Sequence, residues 1–171
     1  MSFSDFYTFE LDSFEWKKFF MLEFPGPRDC HSMVKIGDEI LIYGGKISPE
    51  NITLWELWSV NLRYAQWSGK SLDVSGCVWE QKLIDSNGPG PLRGHSACVT
   101  KGEMLIFGGV NIDYKSSSNV FIYTPLTNSW RCPEFSGHPP IERHSHSCSS
   151  LKNETVIVVF GGIHQRSIDD F

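Results

Sequence analysis

The amino-acid sequence predicts an all-β protein built from repeated four-stranded antiparallel units. Three features recur along its 171 residues: an arginine with a histidine–serine pair, an apolar run that ends in two glycines, and a tryptophan further downstream. A fixed order of recurring features is typical of repeat architectures. The apolar runs are short and rich in β-branched and aromatic residues, which favours strands over helices.

The first two features keep a nearly constant spacing. The histidine–serine motifs are Arg28 with His31-Ser32, Arg93 with His95-Ser96, and Arg143 with His146-Ser147. The glycine pairs that follow them are Gly44-Gly45, Gly108-Gly109 and Gly161-Gly162. The first glycine lies 13 residues after the histidine in two units (31 to 44, 95 to 108) and 15 residues after it in the third (146 to 161). This register predicts one supersecondary unit used repeatedly.

Each unit is predicted to contain four strands, named a to d in chain order. Strand a follows the histidine–serine pair, strand b runs into the glycines, strand c carries alternating aromatic residues, and strand d contains the tryptophan. The tryptophans of the three d strands are predicted to be Trp16, Trp79 and Trp130, although Trp67 also fits strand d of the second unit. Turn-forming residues at 37–38, 101–102 and 152–153 separate strand a from strand b. We expect the three indoles to be buried between stacked sheets.

The repeat spacing also predicts where the units begin and end. His31 and His95 are 64 residues apart, whereas His95 and His146 are 51 apart. The second unit therefore carries an insertion, predicted as a loop over 68–78 because it is polar and contains glycine. The boundaries become 1–24 for strands c and d of a first unit, 25–88 for the second, 89–139 for the third and 140–171 for the start of a fourth.

This combination of features resembles the kelch repeat, and the resemblance covers nearly the whole chain with about three repeats. It implies four-stranded blades of a β-propeller around a central channel. It also implies a non-catalytic scaffold or adaptor that binds other proteins, as a substrate-recognition or a cytoskeletal or polarity module. The alternative is a fragment of a propeller enzyme, or a kelch domain that regulates an attached catalytic domain.

The chain is too short for a ring by itself, because kelch propellers resemble rings of roughly five to seven blades of about 50 residues each. Two explanations stay open. The chain is a piece of a longer protein that supplies the missing blades, or two chains pair head to tail as a homodimer that completes the ring. The second explanation uses the phase of the repeat, since Asp170-Phe171 occupies the repeat position of Asp5-Phe6.

Composition narrows the class of protein. The net charge is -5, from 15 basic and 20 acidic side chains, which does not favour binding to nucleic acid. The N-terminal residues show no export signal, and the longest apolar run, 156–160, is far shorter than a membrane span. The five cysteines include no Cys-x-x-Cys pair and are expected to be reduced thiols. We therefore expect a cytoplasmic, possibly nuclear, protein without contact to membrane or nucleic acid.

No residue is predicted to be catalytic, and no metal or cofactor is expected. His31, His95 and His146 share one repeat position, which indicates a structural role, and the motifs of hydrolases, phosphate-binding loops and zinc proteases do not occur. The three repeat arginines are expected to bind backbone carbonyls of an adjacent strand or blade. Partner binding is predicted for the divergent connections between strands b and c, through Trp55, Asn111, Asp113, Tyr114 and Lys115.

Overall fold

Two complete four-stranded sheets and two terminal hairpins form the framework in the computed structural model, which describes residues 1–19, 24–68, 71–74, 76–83 and 85–164. The strands in chain order are β1 (Phe6–Glu10), β2 (Glu15–Phe19), β3 (Ser32–Ile36), β4 (Glu39–Tyr43), β5 (Lys46–Ile47), β6 (Ile52–Thr53), β7 (Leu57–Asn61), β8 (Gln66–Ser68), β9 (Ser71–Asp73), β10 (Trp79–Lys82), β11 (Ser96–Thr100), β12 (Glu103–Phe107), β13 (Val120–Thr124), β14 (Ser129–Arg131), β15 (Ser147–Leu151) and β16 (Val156–Phe160). One 3₁₀ turn, Leu62–Tyr64, is the only helical segment in these ranges.

The sheets are antiparallel meanders, as the repeat predicts. Blade 2 has the strand order β3-β4-β7-β10 and blade 3 the order β11-β12-β13-β14. Blade 1 is the hairpin β1–β2, and blade 4 is the hairpin β15–β16. The all-β class and the four-stranded blades are confirmed, and the described residues do not close a ring. The predicted phase match at Asp170-Phe171 lies outside the described residues.

The hydrophobic core lies between the blades. Alternate residues of β12 face opposite neighbours, because successive side chains of a strand point to opposite faces. Met104 and Ile106 pack with Tyr43 of blade 2, whereas Leu105 and Phe107 pack towards blade 4. A third cluster joins blade 2 to the first hairpin. Each face of a blade is therefore buried only where a neighbouring blade covers it.

The tryptophans show this dependence on neighbours. Trp79 and Trp130 are 1% and 3% exposed, as predicted. The Trp130 ring lies 5.2 Å from that of Tyr43 in the preceding blade. Trp16 is 69% exposed, so its predicted burial is wrong. Each indole packs on the blade before its own, and no strand before blade 1 is present in the described part of the chain to cover Trp16.

The segment predicted as a loop over 68–78 is also different. Its first half forms part of the short hairpin β8–β9, which begins at Gln66. Val74 and Cys77 are buried at 0% and 3% exposure and belong to the cluster around Trp79. The insertion therefore covers the outer strand of blade 2 with apolar contacts. Residues 69, 70 and 75 of this prediction lie outside the described residues.

The first glycine of each internal pair permits close packing of consecutive blades. Gly44 has φ +61°, and a Cβ atom there would lie 2.4 Å from the Leu92 carbonyl oxygen. Gly108 has φ +66°, and a Cβ atom there would lie 2.6 Å from the Arg143 carbonyl oxygen. In both cases the carbonyl belongs to the connection that enters the next blade. Only glycine fits this backbone conformation and this contact without strain.

Candidate functional site

The connections that precede strand a and those that follow strand b lie at one end of the blades, because neighbouring strands are antiparallel. We call this end the loop face. The first strands β3, β11 and β15 contact one another in succession and form the inner edge of the blades. The tight turns between strands a and b and between strands c and d lie at the opposite end.

The histidines of blades 3 and 4 each bond to a serine of the blade before their own. The His95 Nε2 atom lies 2.8 Å from Ser32 Oγ, and the His146 Nε2 atom lies 2.7 Å from Ser96 Oγ. Burial lowers the pKa of His95 to about 3, with smaller contributions from the neighbouring His31 and His146. His95 is therefore neutral at physiological pH. These bonds give His95 and His146 a structural role between blades, whereas His31 of blade 2 is exposed.

Two of the three repeat arginines bind backbone carbonyls. Arg28 donates from Nη1 to the Gly44 carbonyl at 3.1 Å, and Arg143 donates from Nη1 to the Gly161 carbonyl at 3.0 Å. Arg28 also pairs with Glu56 at 2.8 Å. These contacts agree with the expectation from the sequence and fix the entry into each blade.

Arg93 differs from the other two arginines. Its Nη1 donates to the Thr53 hydroxyl at 2.8 Å, and its guanidinium lies 4.9 Å from the centre of the Tyr114 ring. Thr53 belongs to the b–c connection of blade 2, and Tyr114 belongs to that of blade 3. The guanidinium therefore lies between two loops, where the sequence predicted a contact with backbone carbonyls.

These two loops contact each other directly. Asn51 Nδ2 donates to the Tyr114 hydroxyl at 2.8 Å, which ties the loop of blade 2 to that of blade 3. Four apolar side chains of the two loops are more than half exposed. We call them the loop patch: Ile52, Trp55, Ile112 and Tyr114. Exposed aromatic side chains on a rigid frame make good anchors for a protein partner.

The predicted contact residues divide into two groups. Trp55 and Tyr114 belong to the loop patch, and Asp113 and Lys115 are exposed beside Tyr114. Asn111 has a different role, because its side-chain oxygen accepts the backbone N–H groups of Asp113 and Lys115, both at 3.0 Å. This side chain holds the loop in shape.

Sequence analysis missed several residues of this surface. Arg93 has the same motif as the other repeat arginines, so no local signal distinguishes it. Asn51 and Thr53 acquire their roles only when the two loops meet. Ile52 and Ile112 lie in variable loops, where an apolar residue has no pattern that would mark it as exposed.

A second surface lies beside blade 4. An apolar cavity of about 340 Å³, which we call the open groove, is lined by Phe107, Val120, Phe135, His138, Pro140 and Val159. Phe107 precedes a double glycine as Tyr43 does in blade 2, and the ring of Tyr43 contacts Trp130. The groove is therefore the place where the indole of a complete fourth blade would pack. On the other face of β16, Phe160 is 82% exposed.

The described residues contain no group of three or more side chains suited to hold a metal ion. A polar cavity of about 400 Å³ beside β7 and β10 contains Lys82, whose ammonium lies 3.1 Å from the Glu39 carboxylate. The predicted absence of a catalytic, metal or cofactor site stays a prediction. Across the ranges given above, no helix is long and apolar enough to cross a bilayer.

Known proteins match this chain over most of its length. The family model of the Attractin/LZTR1 beta-propeller matches residues 1–170. Kelch domain-containing protein 3 of Homo sapiens is 32% identical over 139 residues, which cover 81% of this chain and 32% of that protein. Kelch domain-containing protein 1 of Mus musculus is 29% identical over 145 residues, which cover 81% and 30%. Rho GTPase-activating protein gacHH of Dictyostelium discoideum is 34% identical over 79 residues, which cover 46% and 5%.

These matches identify the fold as a partial β-propeller of kelch type, as the repeat predicted. The chain belongs to the Attractin/LZTR1 beta-propeller family. It spans about a third of the length of the kelch-domain relatives that it matches. Propellers of this kind generally serve as non-catalytic modules for protein–protein interaction.

Acid should weaken the fold through the buried histidines. The unfolded chain takes up a proton at His95 below pH about 6.5, whereas the folded chain keeps that ring neutral down to about pH 3. The contribution of the neutral His95 to the free energy of unfolding is therefore fully present above pH 6.5. It is lost as the pH falls, by roughly 1 kcal/mol per pH unit. Urea unfolding of wild type between pH 7.5 and 4.5 should show this slope.

His95→Gln keeps a polar side chain near Ser32 but cannot titrate, so its slope should be smaller by about that amount. Leu126→Ser changes an exposed side chain that does not titrate and serves as the control, with the wild-type slope expected. Identical slopes for wild type and His95→Gln would contradict the assignment of a buried neutral His95.

Proposed function

We propose that the chain is a non-catalytic protein-recognition module whose partner binds the loop patch. The observation that carries this proposal is the bond from Asn51 to Tyr114, which joins the two loops that carry the exposed apolar side chains of the loop patch. Arg93 beneath Tyr114 adds a positive charge and limits the motion of the ring. A rigid scaffold that presents variable loops is a common basis for specific protein binding.

The more specific roles follow from the same surface. We propose a scaffold or adaptor role, as a substrate-recognition or a cytoskeletal or polarity module, in the cytoplasm or the nucleus. The alternative is a regulatory kelch domain attached to a catalytic one, or a fragment of a propeller enzyme. The name of the Dictyostelium relative, a Rho GTPase-activating protein, favours regulation of an attached domain as the second candidate.

Replacing single anchors tests the loop patch. Wild type, Trp55→Ser and Tyr114→Ser are immobilised and exposed to extract of the source organism, and the captured proteins are quantified by mass spectrometry. At least one protein should bind wild type and be depleted about 30-fold by either substitution, because a buried aromatic anchor contributes about 2 kcal/mol or more.

Leu126→Ser is the matched control, because Leu126 is 95% exposed in the turn at the opposite end of blade 3. It should retain the same proteins as wild type. If every captured protein bound Trp55→Ser and Tyr114→Ser as strongly as wild type, this result would contradict the loop patch as the binding site. Stoichiometric copper or iron in the purified protein would support a propeller enzyme instead.

We also propose that strands c and d of a second copy of the chain fill the open groove. Within the described residues, β16 pairs only with β15 and β1 only with β2, so each hairpin has a free edge. Trp16 of the first hairpin is exposed. The open groove corresponds to the position that the indole of the following blade fills at the other interfaces. Pairing β1 of one copy with β16 of the other would complete a blade and remove both edges.

Light scattering of the purified chain across a range of concentrations tests this assembly. A mass of two chains is expected, and Trp16→Ser and Phe160→Ser should each shift the protein towards one chain. Leu126→Ser should leave the mass unchanged. A folded monomer at every concentration, or a chain that aggregates without forming dimers, would contradict the second copy and favour further blades of a longer parent protein.

A further inference from the structure

Two thiol groups meet between blades 3 and 4. Cys98 in β11 is 8% exposed and packs with Leu105 and Phe107, and Cys148 in β15 packs against the same cluster. The two side chains belong to one cluster, and the strands that carry them contact each other. Cys30 and Cys132 lie on the surface, and Cys77 is buried next to Trp79. Only Cys98 and Cys148 come from facing strands of consecutive blades.

The preceding interface offers an internal comparison. Val34 lies two residues after the serine of its strand a, as Cys98 does, and Ala97 lies one residue after its serine, as Cys148 does. Val34 and Ala97 pack in one cluster between blades 2 and 3. A valine and an alanine thus fill the corresponding space, so blade packing by itself does not require two thiols.

Cys148 also lies at the end of a chain of polar contacts. The Ser96 hydroxyl interacts with the Cys148 thiol and lies 2.7 Å from His146 Nε2. The Cys98 thiol, together with the Ser96 hydroxyl, lowers the pKa of Cys148 against the opposing effect of burial. The interaction between the two thiols raises the pKa of Cys98. Of the two thiols, Cys148 therefore forms the nucleophilic thiolate more readily.

We propose that Cys98 and Cys148 form an oxidisable pair that closes a disulfide between blades 3 and 4 when the protein meets a peroxide. The Cys148 thiolate attacks one oxygen of hydrogen peroxide and the O–O bond breaks, which gives a sulfenic acid and a hydroxide that takes up a proton. The Cys98 sulfur then attacks the Cys148 sulfur, and the hydroxyl leaves with the Cys98 proton as water. Two thiols and one peroxide thus give one disulfide and two waters.

The disulfide would fix the terminal hairpin to blade 3. Among the described residues, the hairpin β15–β16 has a neighbouring blade on one face only. A disulfide between the first strands of blades 3 and 4 would enclose the 51 residues from 98 to 148 and hold one wall of the open groove in place. This site is separate from the loop patch and does not depend on the proposed recognition function.

Peptide mapping tests the pair directly. Reduced full-length protein is treated with a small molar excess of hydrogen peroxide and digested with trypsin without reduction. Cleavage after arginine and lysine leaves Cys98 in residues 94–101 and Cys148 in residues 144–152, apart from the other three cysteines. The expected product is these two peptides joined, lighter by two hydrogens than their sum. The melting temperature should rise by roughly 5 to 10 °C and return on reduction with dithiothreitol.

The double variant Cys98→Val with Cys148→Ala copies the preceding interface and is the matched control. It should fold, and peroxide should leave its melting temperature unchanged. Two results would overturn the proposal. One is a treated wild type in which Cys98 and Cys148 stay reduced while Cys30 and Cys132 are oxidised. The other is a Cys148 that is joined to a cysteine other than Cys98.

Discussion

Blades 2 and 3 have two apolar faces each, so each of these blades buries its core against a neighbour on both sides. Adjacent residues of one strand, such as Met104 and Leu105, belong to different interfaces. The repeated features serve the same contact: the histidine–serine bond crosses it, the first glycine allows the backbones to approach, and the tryptophan fills it. Stability in such a structure depends on nearest neighbours more than on any single sheet.

This constraint links the frame to the proposed binding surface. The loops of blades 2 and 3 meet because their blades are packed face to face, and the meeting places Tyr114 against Asn51 and Arg93. Neither loop alone would present the four exposed apolar side chains together. The same constraint explains the open surfaces at the two ends, where Trp16 and Phe160 lie on faces that no other blade in the described part of the chain covers.

Much of the fold could be predicted from sequence because the repeated motifs of the chain can be aligned with one another. The strands, the turns, the glycine pairs and the burial of Trp79 and Trp130 all follow from spacing. The exposure of Trp16 could not be predicted from its motif, since burial depends on a blade that lies outside that motif. The burial of Val74 and Cys77 was not predicted, because two apolar residues in a polar segment form no periodic pattern. Both side chains pack in the cluster around Trp79.

The candidate site was less predictable than the fold. Trp55 and Tyr114 stand out in sequence as aromatic residues of variable loops, and the structure exposes both. Arg93 shares its motif with Arg28 and Arg143, yet its partners are a threonine and a ring of two different loops. Such roles arise from contacts across blades, and spacing within one repeat does not encode them.

The most direct test of this dependence on neighbours compares two tryptophans at one repeat position. Trp130 packs on a preceding blade and Trp16 on none in the described part of the chain, so urea unfolding of Trp130→Ala and Trp16→Ala, each made in the Phe160→Ser background that is expected to be a single chain, isolates the contribution of the neighbour. The account predicts a loss of roughly 3 to 5 kcal/mol for Trp130→Ala and less than about 1 kcal/mol for Trp16→Ala. Equal losses would show that the indole stabilises its own sheet, and would contradict the claim that the core lies between blades.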